Sequence, residues 1–344
     1  MHTHMRTEGG SFQFSSDPDR LRQLSNRNVF LAGTSNPGLA EKVGRLLQLP
    51  VGHPIKKPFA DGELNVHIDR NLRRRRVTIF QSTAAPKAPE RILEVVLIAD
   101  AARRGSAGEV TAIFPYYGYG RQDRKDQPRV PISAAAIARM FENRGVNRFI
   151  TVDLHAKQTQ GSVDDPWDDL RAETLLVPVV AKFPSDNLMI VAPDEGAQKL
   201  VERYAEALGT NWATISKVRP TKIKNTSSTH GVNGEVSGMD CVIVDDQIDT
   251  AGTVINGAAT LLAQGAKTVR VVATHAVLSS DAIERIHRSP ITEVVLTDTI
   301  YPSVKKRAAM QRSGKFTTES VAPIIAHAMY ANDEGDSISE EQFV

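Results

Sequence analysis

The stretch Val242–Thr253, VIVDDQIDTAGT, decides the fold of this chain. Its first three residues, Val242–Val244, form a short β-branched run typical of a central strand in a parallel sheet. Asp245 and Asp246 then follow at the carboxyl end of the strand, where open α/β sheets bind their ligands. The stretch therefore predicts a parallel α/β sheet with a polar site at its edge.

The loop after these acids has the features of an anion-binding site. It consists of Asp249, Thr250, Ala251, Gly252 and Thr253, and it precedes a predicted helix over Val254–Gln264. Backbone N–H groups and the positive end of the helix dipole make such a turn a phosphate site. Carboxylates for sugar hydroxyls, followed by amides for a phosphate, predict that a sugar phosphate binds here.

Composition narrows the class of protein. The chain has 344 residues, a length sufficient for two domains that each have a hydrophobic core. Of these residues, 41% are hydrophobic and 24% are charged, as in an ordinary globular protein. A net charge of +2 argues against nucleic-acid and membrane-surface partners, and the sequence has no apolar run long enough to span a membrane. The single cysteine, Cys241, cannot form an intramolecular disulfide and favours a reduced, cytoplasmic compartment.

The same strand and helix pattern occurs twice. Asn28–Leu47 is matched by Leu188–Leu208, and Val77–Phe114 by Val242–Thr274. Alternating strands and helices predict parallel sheets, and the repeat predicts two α/β domains. Only the second copy carries the acid loop, so one sugar-phosphate site is expected per chain. The predicted segments are a flexible N-terminal extension 1–25, domains 26–170 and 171–325, and a C-terminal segment 326–344.

A second motif, Phe114–Lys125 (FPYYGYGRQDRK), follows a predicted strand. Its four aromatic residues are interpreted as a surface that stacks a base rather than as core. Arg121 is a candidate phosphate clamp, and Gln122 a reader of the base edge. The alternative is a solvated loop whose aromatic residues are incidental.

Four further residues have both a functional and a structural interpretation. His155 and Asp194 follow predicted strands and are candidate cation ligands, or else a scaffold histidine and a helix N-cap. Lys217 and Arg219 follow the predicted strand Trp212–Ser216 and open a polar stretch reaching Gly238. They would neutralise charge on a polyphosphate, or simply form a basic solvated loop.

Together these motifs resemble ribose-phosphate diphosphokinase, from about Asn28 to the C-terminus. The shared motifs are FADGE, PYYGYGRQDRK, DLHAKQTQG, the Lys217 and Arg219 pair, and VDDQIDTAGT. The resemblance implies two tandem phosphoribosyltransferase-like domains, each a mostly parallel sheet flanked by helices. It also implies the substrates ATP and ribose 5-phosphate, the cofactor Mg²⁺, and a homo-oligomer built from dimers, commonly a hexamer.

The resemblance assigns a role to each site residue. The expected ATP-binding residues are Phe59, Asp61, Gly62, Glu63, Arg121 and Gln122. The expected Mg²⁺ ligands are His155 and Asp194, and the expected catalytic residues are Lys217 and Arg219. The expected ribose 5-phosphate residues are Arg219, Asp245, Asp246, Asp249, Thr250, Ala251, Gly252 and Thr253.

The chain departs from the family pattern at several positions. Glu195, Ala197 and Gln247 stand at or beside ligand loops, and Gly161–Val163 lacks an aromatic pair. Ala88–Glu90 stands where the family has an asparagine and an aspartate, near the family's allosteric phosphate site, whose other contacts resemble Arg73, Ser337 and Ser339. Regulation by phosphate and ADP therefore stays open. Two alternatives remain, a phosphoribosyltransferase and a non-catalytic regulatory subunit of the synthetase.

Overall fold

A computed structural model describes residues 18–218 and 229–338, which form two compact α/β units. The first unit takes the described residues up to Ala172, together with Thr299–Tyr301 and the described residues from Ser320 to 338. The second unit takes Glu173–Asp298 and Pro302–Glu319. No helix within the described ranges is both long and apolar enough to cross a membrane.

The first unit is built on six parallel strands. Its helices and strands, in chain order, are α1 Pro18–Arg27, β1 Asn28–Ala32, α2 Pro37–Leu46, β2 Val51–Gly52, β3 Arg76–Phe80, α3 Ala88–Arg104, β4 Glu109–Phe114, α4 Ser133–Asn143, β5 Arg148–Val152 and β6 Trp167–Leu170. The strands lie in the order β2-β1-β3-β4-β5-β6, and every neighbouring pair is parallel.

The second unit holds a mixed sheet of seven strands. Its helices and strands, in chain order, are α5 Glu173–Val180, β7 Leu188–Ala192, α6 Gln198–Leu208, β8 Asn211–Val218, β9 Thr229–Asn233, β10 Asp240–Ile248, α7 Gly252–Ala263, β11 Thr268–Ala276, α8 Ala282–Arg288, β12 Glu293–Thr297, α9 Val304–Ser313 and β13 Phe316–Glu319. The order is β13-β12-β11-β10-β7-β8-β9, with only β8 and β9 antiparallel among these strands.

The predicted repeat is confirmed at the level of strand order. Without β9, the second sheet reads β8-β7-β10-β11-β12-β13, which is the same winding as β2-β1-β3-β4-β5-β6 of the first. Strand β10 therefore occupies the place that β3 has in the first unit. The acid stretch lies on a central strand, as its β-branched residues predicted.

The two cores explain why these residues form strands. Both faces of a parallel strand are buried, so continuous apolar runs are favoured. In the first unit the strand residues Val29, Ile79, Ala112 and Phe149 pack against Val95 and Ile98 of α3. In the second unit Val191, Ile243, Val271 and Val294 pack against Val254 and Leu261 of α7.

Two segments differ from the sequence-based expectation. The predicted flexible extension was to run to residue 25, but α1 begins at Pro18 because Leu24 is buried, only 2% exposed. Residues 1–17 lie outside the described part. The polar stretch from Lys217 to Gly238 was expected to be a loop, but β8 continues to Val218 and β9 forms within it.

The last helix, α10 Ala322–Glu334, belongs to the first unit, where it packs against α2. Its Asp333 is only 6% exposed and accepts hydrogen bonds from Asn28 Nδ2 at 2.8 Å and Arg76 Nη1 at 2.9 Å. Arg27 at the end of α1 forms an ion pair with the same carboxylate. One buried acid near the end of the chain therefore fixes the start of the first sheet.

Candidate functional site

Strand β10 carries the acid pair inside the strand rather than after it. The ladder with β11 continues past the apolar run, with Asp245 opposite Ala273 and Ile248 opposite Ala276. The side chains of Asp245 and Asp246 share a hydrogen bond, so the two carboxyl groups lie together at this edge of the sheet. Asp245 Oδ1 accepts the backbone N–H of Asp246 at 2.9 Å, which ties the first carboxylate to the strand.

The carboxylates at this edge repel one another. Burial raises the pKa of Asp245 well above its ordinary value, and the neighbouring charge of Asp246 raises it further. The charge of Asp194, at the end of β7, acts in the same direction. Hydroxyl groups that donate to these oxygens would relieve the repulsion, so the site is suited to a polyol such as a sugar.

The Asp249–Thr253 loop turns sharply before α7. Ala251 is the N-cap of α7 and has a left-handed backbone, with φ of 63°. A non-glycine residue pays about 1 kcal/mol or more for that conformation, and such residues cluster at ligand sites. The first-turn amides of α7 have no partner within the helix, so they are available to an anion.

The segment that contains Leu278 and Ser279 holds the Asp249–Thr253 loop in place through hydrogen bonds. Leu278 and Ser279 donate backbone hydrogen bonds to the carbonyls of Ile248 (2.9 Å) and Asp249 (3.0 Å). Lys306 Nζ donates to the carbonyl of Val277 at 2.8 Å. Burial lowers the pKa of Lys306, while the nearby Asp249 carboxylate opposes that shift. Lys306 was not predicted, because nothing in the sequence around it marks a site.

The loop after β7 holds Asp194 in a tight turn. Asp194 Oδ1 accepts the backbone N–H of Gly196 at 2.9 Å, which leaves the rest of this exposed carboxylate for a ligand. Ala197, a departure from the family pattern, is buried and has an ordinary φ of −86°, so its Cβ packs into the protein. Glu195 is exposed beside Asp194 and adds a carboxylate to the same turn.

The other departure on β10 has a contact of its own. Gln247 lies opposite His275 of β11, and its Nε2 is 3.4 Å from Asp246 Oδ2. An amide donor therefore stands beside one of the two acids. The amide supplies a neutral partner for Asp246 where an apolar residue would give none.

In the first unit, the interpretation of Phe114–Lys125 as a base-stacking surface is wrong for two of its aromatic residues. Phe114 is fully buried and stacks on Phe141 with ring centroids 5.0 Å apart. Tyr117 is also buried, and its hydroxyl donates to the carbonyl of Ala134 at 2.8 Å. These aromatic side chains anchor the loop to the core, because each large ring gains more by burial than by exposure.

Gly118 allows this loop to lie close to the segment that follows β3. A Cβ at Gly118 would lie 2.0 Å from the carbonyl oxygen of Thr83, while the Gly118 N–H donates to Thr83 Oγ1 at 2.7 Å. The turn therefore requires glycine for close approach. It connects the PYYGYG motif to the loop that follows β3.

The structure brings together the second half of this motif and the DLHAKQTQG motif. Gly120 faces the Cβ of His155, and Gln158 Nε2 donates to Asp123 Oδ2 at 2.5 Å. His155 itself is exposed, three residues beyond the end of β5. Gln122 accepts a hydrogen bond from Ser133 Oγ at 2.6 Å at the start of α4. Arg121 is exposed beside them.

A buried carboxylate, missed in the sequence, organises the approach to His155. Asp169 Oδ1 accepts from Thr151 Oγ1 at 2.9 Å and from the backbone N–H of Leu154 at 2.8 Å. Asp153 is held with φ of 41°, so the strand periodicity that would align Asp153 with His155 is broken. In the sequence, nothing about the adjacent residues Asp168 and Asp169 indicates that one of the two carboxylates is buried.

The residues Phe59–Glu63 form an exposed turn of their own. The Phe59 N–H donates to the Glu63 carbonyl at 3.0 Å, and Asp61 Oδ1 accepts from the Glu63 N–H at 3.0 Å. Gly62 has φ of 93°, which explains the glycine at this position. Phe59 is 55% exposed, which is unusual for a large aromatic residue.

Of the two expected catalytic residues, the described part of the chain contains one. Lys217 lies on β8 opposite His230 of β9. Arg219 lies outside the described residues, as does Ser339. Among the residues described, no group of three His, Cys, Asp or Glu side chains could hold a metal ion by itself.

Comparison with known proteins gives a consistent result. Residues 28–145 match the sequence model of the N-terminal domain of ribose phosphate pyrophosphokinase, and residues 210–341 that of the phosphoribosyl synthetase-associated domain. The ribose-phosphate pyrophosphokinase of Ralstonia nicotianae is 42% identical over 311 residues, covering 90% of this chain and 96% of the relative.

Further relatives agree. The ribose-phosphate pyrophosphokinase of Chromobacterium violaceum is 40% identical, over 90% of this chain and 93% of the relative. Among solved structures, phosphoribosylpyrophosphate synthetase from Mycobacterium smegmatis superposes with a TM-score of 0.82 at 35% identity, covering 90% of this chain and 99% of that one.

Proposed function

Because the chain belongs to the ribose-phosphate pyrophosphokinase family, we propose that it transfers the β,γ-pyrophosphoryl group of ATP to the 1-hydroxyl of ribose 5-phosphate. The products are 5-phosphoribosyl 1-pyrophosphate and AMP. The observation that carries this function is the cradle formed by β10, the Asp249–Thr253 loop and the first turn of α7. It combines carboxylates for hydroxyls with amides for a phosphate.

On the acceptor side, Asp245 and Asp246 hold the ribose hydroxyls, and the loop amides hold the 5-phosphate. Burial, and then the neighbouring charge of Asp246, raise the pKa of Asp245, so hydroxyl groups that donate to these oxygens stabilise the ionised carboxylate. Fixing the sugar at both ends aligns the 1-hydroxyl with the β-phosphorus of ATP. Such positioning is the main contribution of proteins to phosphoryl-type transfer.

On the donor side, the ATP-binding residues are Phe59, Asp61–Glu63, Arg121 and Gln122. Arg121 offers a planar guanidinium that matches phosphate oxygens, and Gln122 offers an amide to the base edge. What supports the donor assignment is that Gly120, two residues before Gln122, faces the Cβ of His155, so the two motifs meet at this point. Phe59 and Asp61–Glu63 are assigned from the family motif and from their exposure.

The cofactor we propose is Mg²⁺, with His155 and Asp194 as its protein ligands. Mg²⁺ takes few protein ligands when substrate phosphates and water fill its other positions, so an exposed carboxylate held in a turn fits. The ion neutralises charge on the transferred phosphates. His155 is a less usual ligand for Mg²⁺, and its support is the family motif.

Lys217 and Arg219 supply the cations for the transferred group. Lys217→Ala should lower kcat by about 10²–10³, because removing one positive charge that stabilises the transition state reduces the rate by about that factor. The matched control is Lys199→Ala, an exposed lysine on α6 of the same unit, which should keep wild-type turnover. If Lys217→Ala turned over at the rate of Lys199→Ala, the catalytic assignment would be wrong.

One assay separates the proposed function from its alternatives. The full chain is incubated with ribose 5-phosphate, ATP and Mg²⁺, and AMP and ADP are followed together. We expect one AMP for each 5-phosphoribosyl 1-pyrophosphate formed and no ADP. A phosphoribosyltransferase would instead consume that product with a base, and a non-catalytic subunit would release no AMP.

We also propose a cytoplasmic homo-oligomer built from dimers. In support of assembly, Leu93 of α3 and Met140 of α4 are 47% and 38% exposed, and exposed apolar side chains favour association. In support of a reducing compartment, Cys241 is a buried free thiol. Light scattering of the full chain would test the assembly, and a single monomeric mass would contradict it.

A further inference from the structure

Arg285 on α8 stands directly over the Asp249–Thr253 loop. We propose that Arg285 binds the 5-phosphate of the sugar substrate and selects a dianionic phosphate, an inference that rests on the proposed function. The arginine is outside every motif of the sequence, and its position is visible only in the folded chain.

The guanidinium spans the loop and the start of α7. Arg285 Nη1 donates to the carbonyl of Thr250 at 2.8 Å. Its Nη2 lies 3.7 Å from the point where a Cβ on Gly252 would stand. One nitrogen is therefore fixed to the loop, and the other faces the first residue of α7, where the helix presents its amides to an anion.

Helix α8 holds this arginine rigidly. Ala282, Ile283 and Ile286 of α8 are buried in the core of the second unit, and the Arg285 N–H donates to the carbonyl of Asp281 at 2.9 Å. The side chain is exposed at its tip while its backbone is anchored. A guanidinium placed in this way loses little freedom when a phosphate binds.

The charges around the loop explain why a cation is needed there. Asp249 lies in the loop itself, Asp245 and Asp246 lie near the end of β10, and Asp194 lies just after β7. The nearby Lys306 donates its hydrogen bond to the carbonyl of Val277. A dianionic phosphate entering beside these carboxylates would be repelled. The fork of Arg285 offsets that repulsion and matches two phosphate oxygens at once.

The variants Arg285→Gln and Arg285→Lys test the inference. Calorimetry on the full chain measures the affinity for ribose 5-phosphate and for ribose 5-sulfate, whose ester carries one charge instead of two. Arg285→Gln should weaken ribose 5-phosphate binding by about 10- to 100-fold, as expected for a charged hydrogen bond, and weaken ribose 5-sulfate less. Arg285→Lys should fall between, because it keeps the charge but loses the fork.

Arg288→Gln is the matched control. Arg288 lies on the same helix and pairs with Glu284 at 2.8 Å on the exposed surface. We expect it to bind both ligands as the wild type does. A purely structural role for Arg285 would weaken both ligands by the same factor, and that result would overturn the inference, as would unchanged binding.

The outcome is separable from the proposed function. Wild-type protein that releases AMP from ATP with ribose 5-phosphate establishes the function whatever the variants do. Unchanged preference for phosphate over sulfate in Arg285→Gln would then reject the role of Arg285 alone. Wild-type protein that neither binds ribose 5-phosphate nor releases AMP would reject both.

Discussion

Asp169 illustrates how one buried carboxylate can shape a ligand loop. Its Oδ1 holds both Thr151 and the Leu154 amide, so the chain leaves β5 in a fixed direction toward His155. Its Oδ2 has no hydrogen-bond partner among the described residues. Burial is the largest cause that raises the pKa of this carboxyl above its ordinary value.

The raised pKa predicts a pH-dependent effect of Asp169→Asn. As pH rises past the ordinary value of 3.8, the unfolded chain loses this proton before the folded chain does, so wild-type stability falls. The asparagine variant lacks that fall. Its advantage in unfolding free energy should therefore grow as the pH is raised above about 4, measured by denaturant unfolding without metal.

Asp126→Asn is the control for that experiment, because Asp126 is exposed. It should follow the wild-type curve across the whole pH range. Parallel curves for Asp169→Asn and the wild type would show that the buried carboxyl does not titrate as its burial implies.

At single residues, the sequence was informative where chemistry is concentrated in one segment. Asp245, Asp246 and the Asp249–Thr253 loop could be placed at a sheet edge because the strand signal adjoins them. Arg285 and Lys306 could not, since they reach the loop from other elements. Phe114 and Tyr117 were wrongly predicted to be exposed, because the sequence pattern of a cluster of aromatic residues is the same whether the cluster is buried or exposed.

Among the elements, α7 packs tightly against the sheet of the second unit. Gly257 faces the sheet, and a Cβ there would lie 2.9 Å from Ile215 Cδ1 and 3.3 Å from Ile243 Cδ1. Gly257→Val should lower the free energy of unfolding by about 1–3 kcal/mol through overpacking. It should also raise KM for ribose 5-phosphate, because the first turn of the helix moves.

Ala259→Val provides the comparison on the same helix, since Ala259 is exposed. Its cost should stay within about 0.7 kcal/mol, the range of helix propensity. Equal losses in the two variants, by thermal or denaturant unfolding, would contradict the tight packing of α7 on β8 and β10.

Element boundaries were predictable where apolar runs are clearly interrupted. The repeated pattern was predicted to begin at Asn28 and at Leu188, and in the structure β1 and β7 begin at these residues. Strand β10 was predicted too short, because its last residues are acids that would ordinarily end a strand. Strand β9 was missed because its residues are mostly polar and pair at the edge of the sheet.

For the whole molecule, the repeated strand order follows from the repeated pattern of the sequence, but the course of the last helix does not. Nothing in Ala322–Glu334 indicates which of two similar units it will join. Its place is decided by tertiary contacts, chiefly the burial of Asp333 beside Asn28 and Arg76.

Asp333→Asn should therefore destabilise the first unit by about 2 kcal/mol, because two arginines lose the charge that they share. Denaturant unfolding would measure the loss. Glu334→Gln is the adjacent control, since its contact with Arg27 is exposed and should contribute less than about 1 kcal/mol. A similar loss in both variants would rule out a special role for Asp333.

The return of α10 has a consequence for how the protein is made. A ribosome emits the strands of the first unit early, yet the helix that covers them emerges only after the second unit is complete. The second unit can therefore fold during synthesis as soon as its own residues have emerged, whereas the first unit must wait for α10. A premature stop codon late in the message would leave the second unit complete and the first unit unfinished.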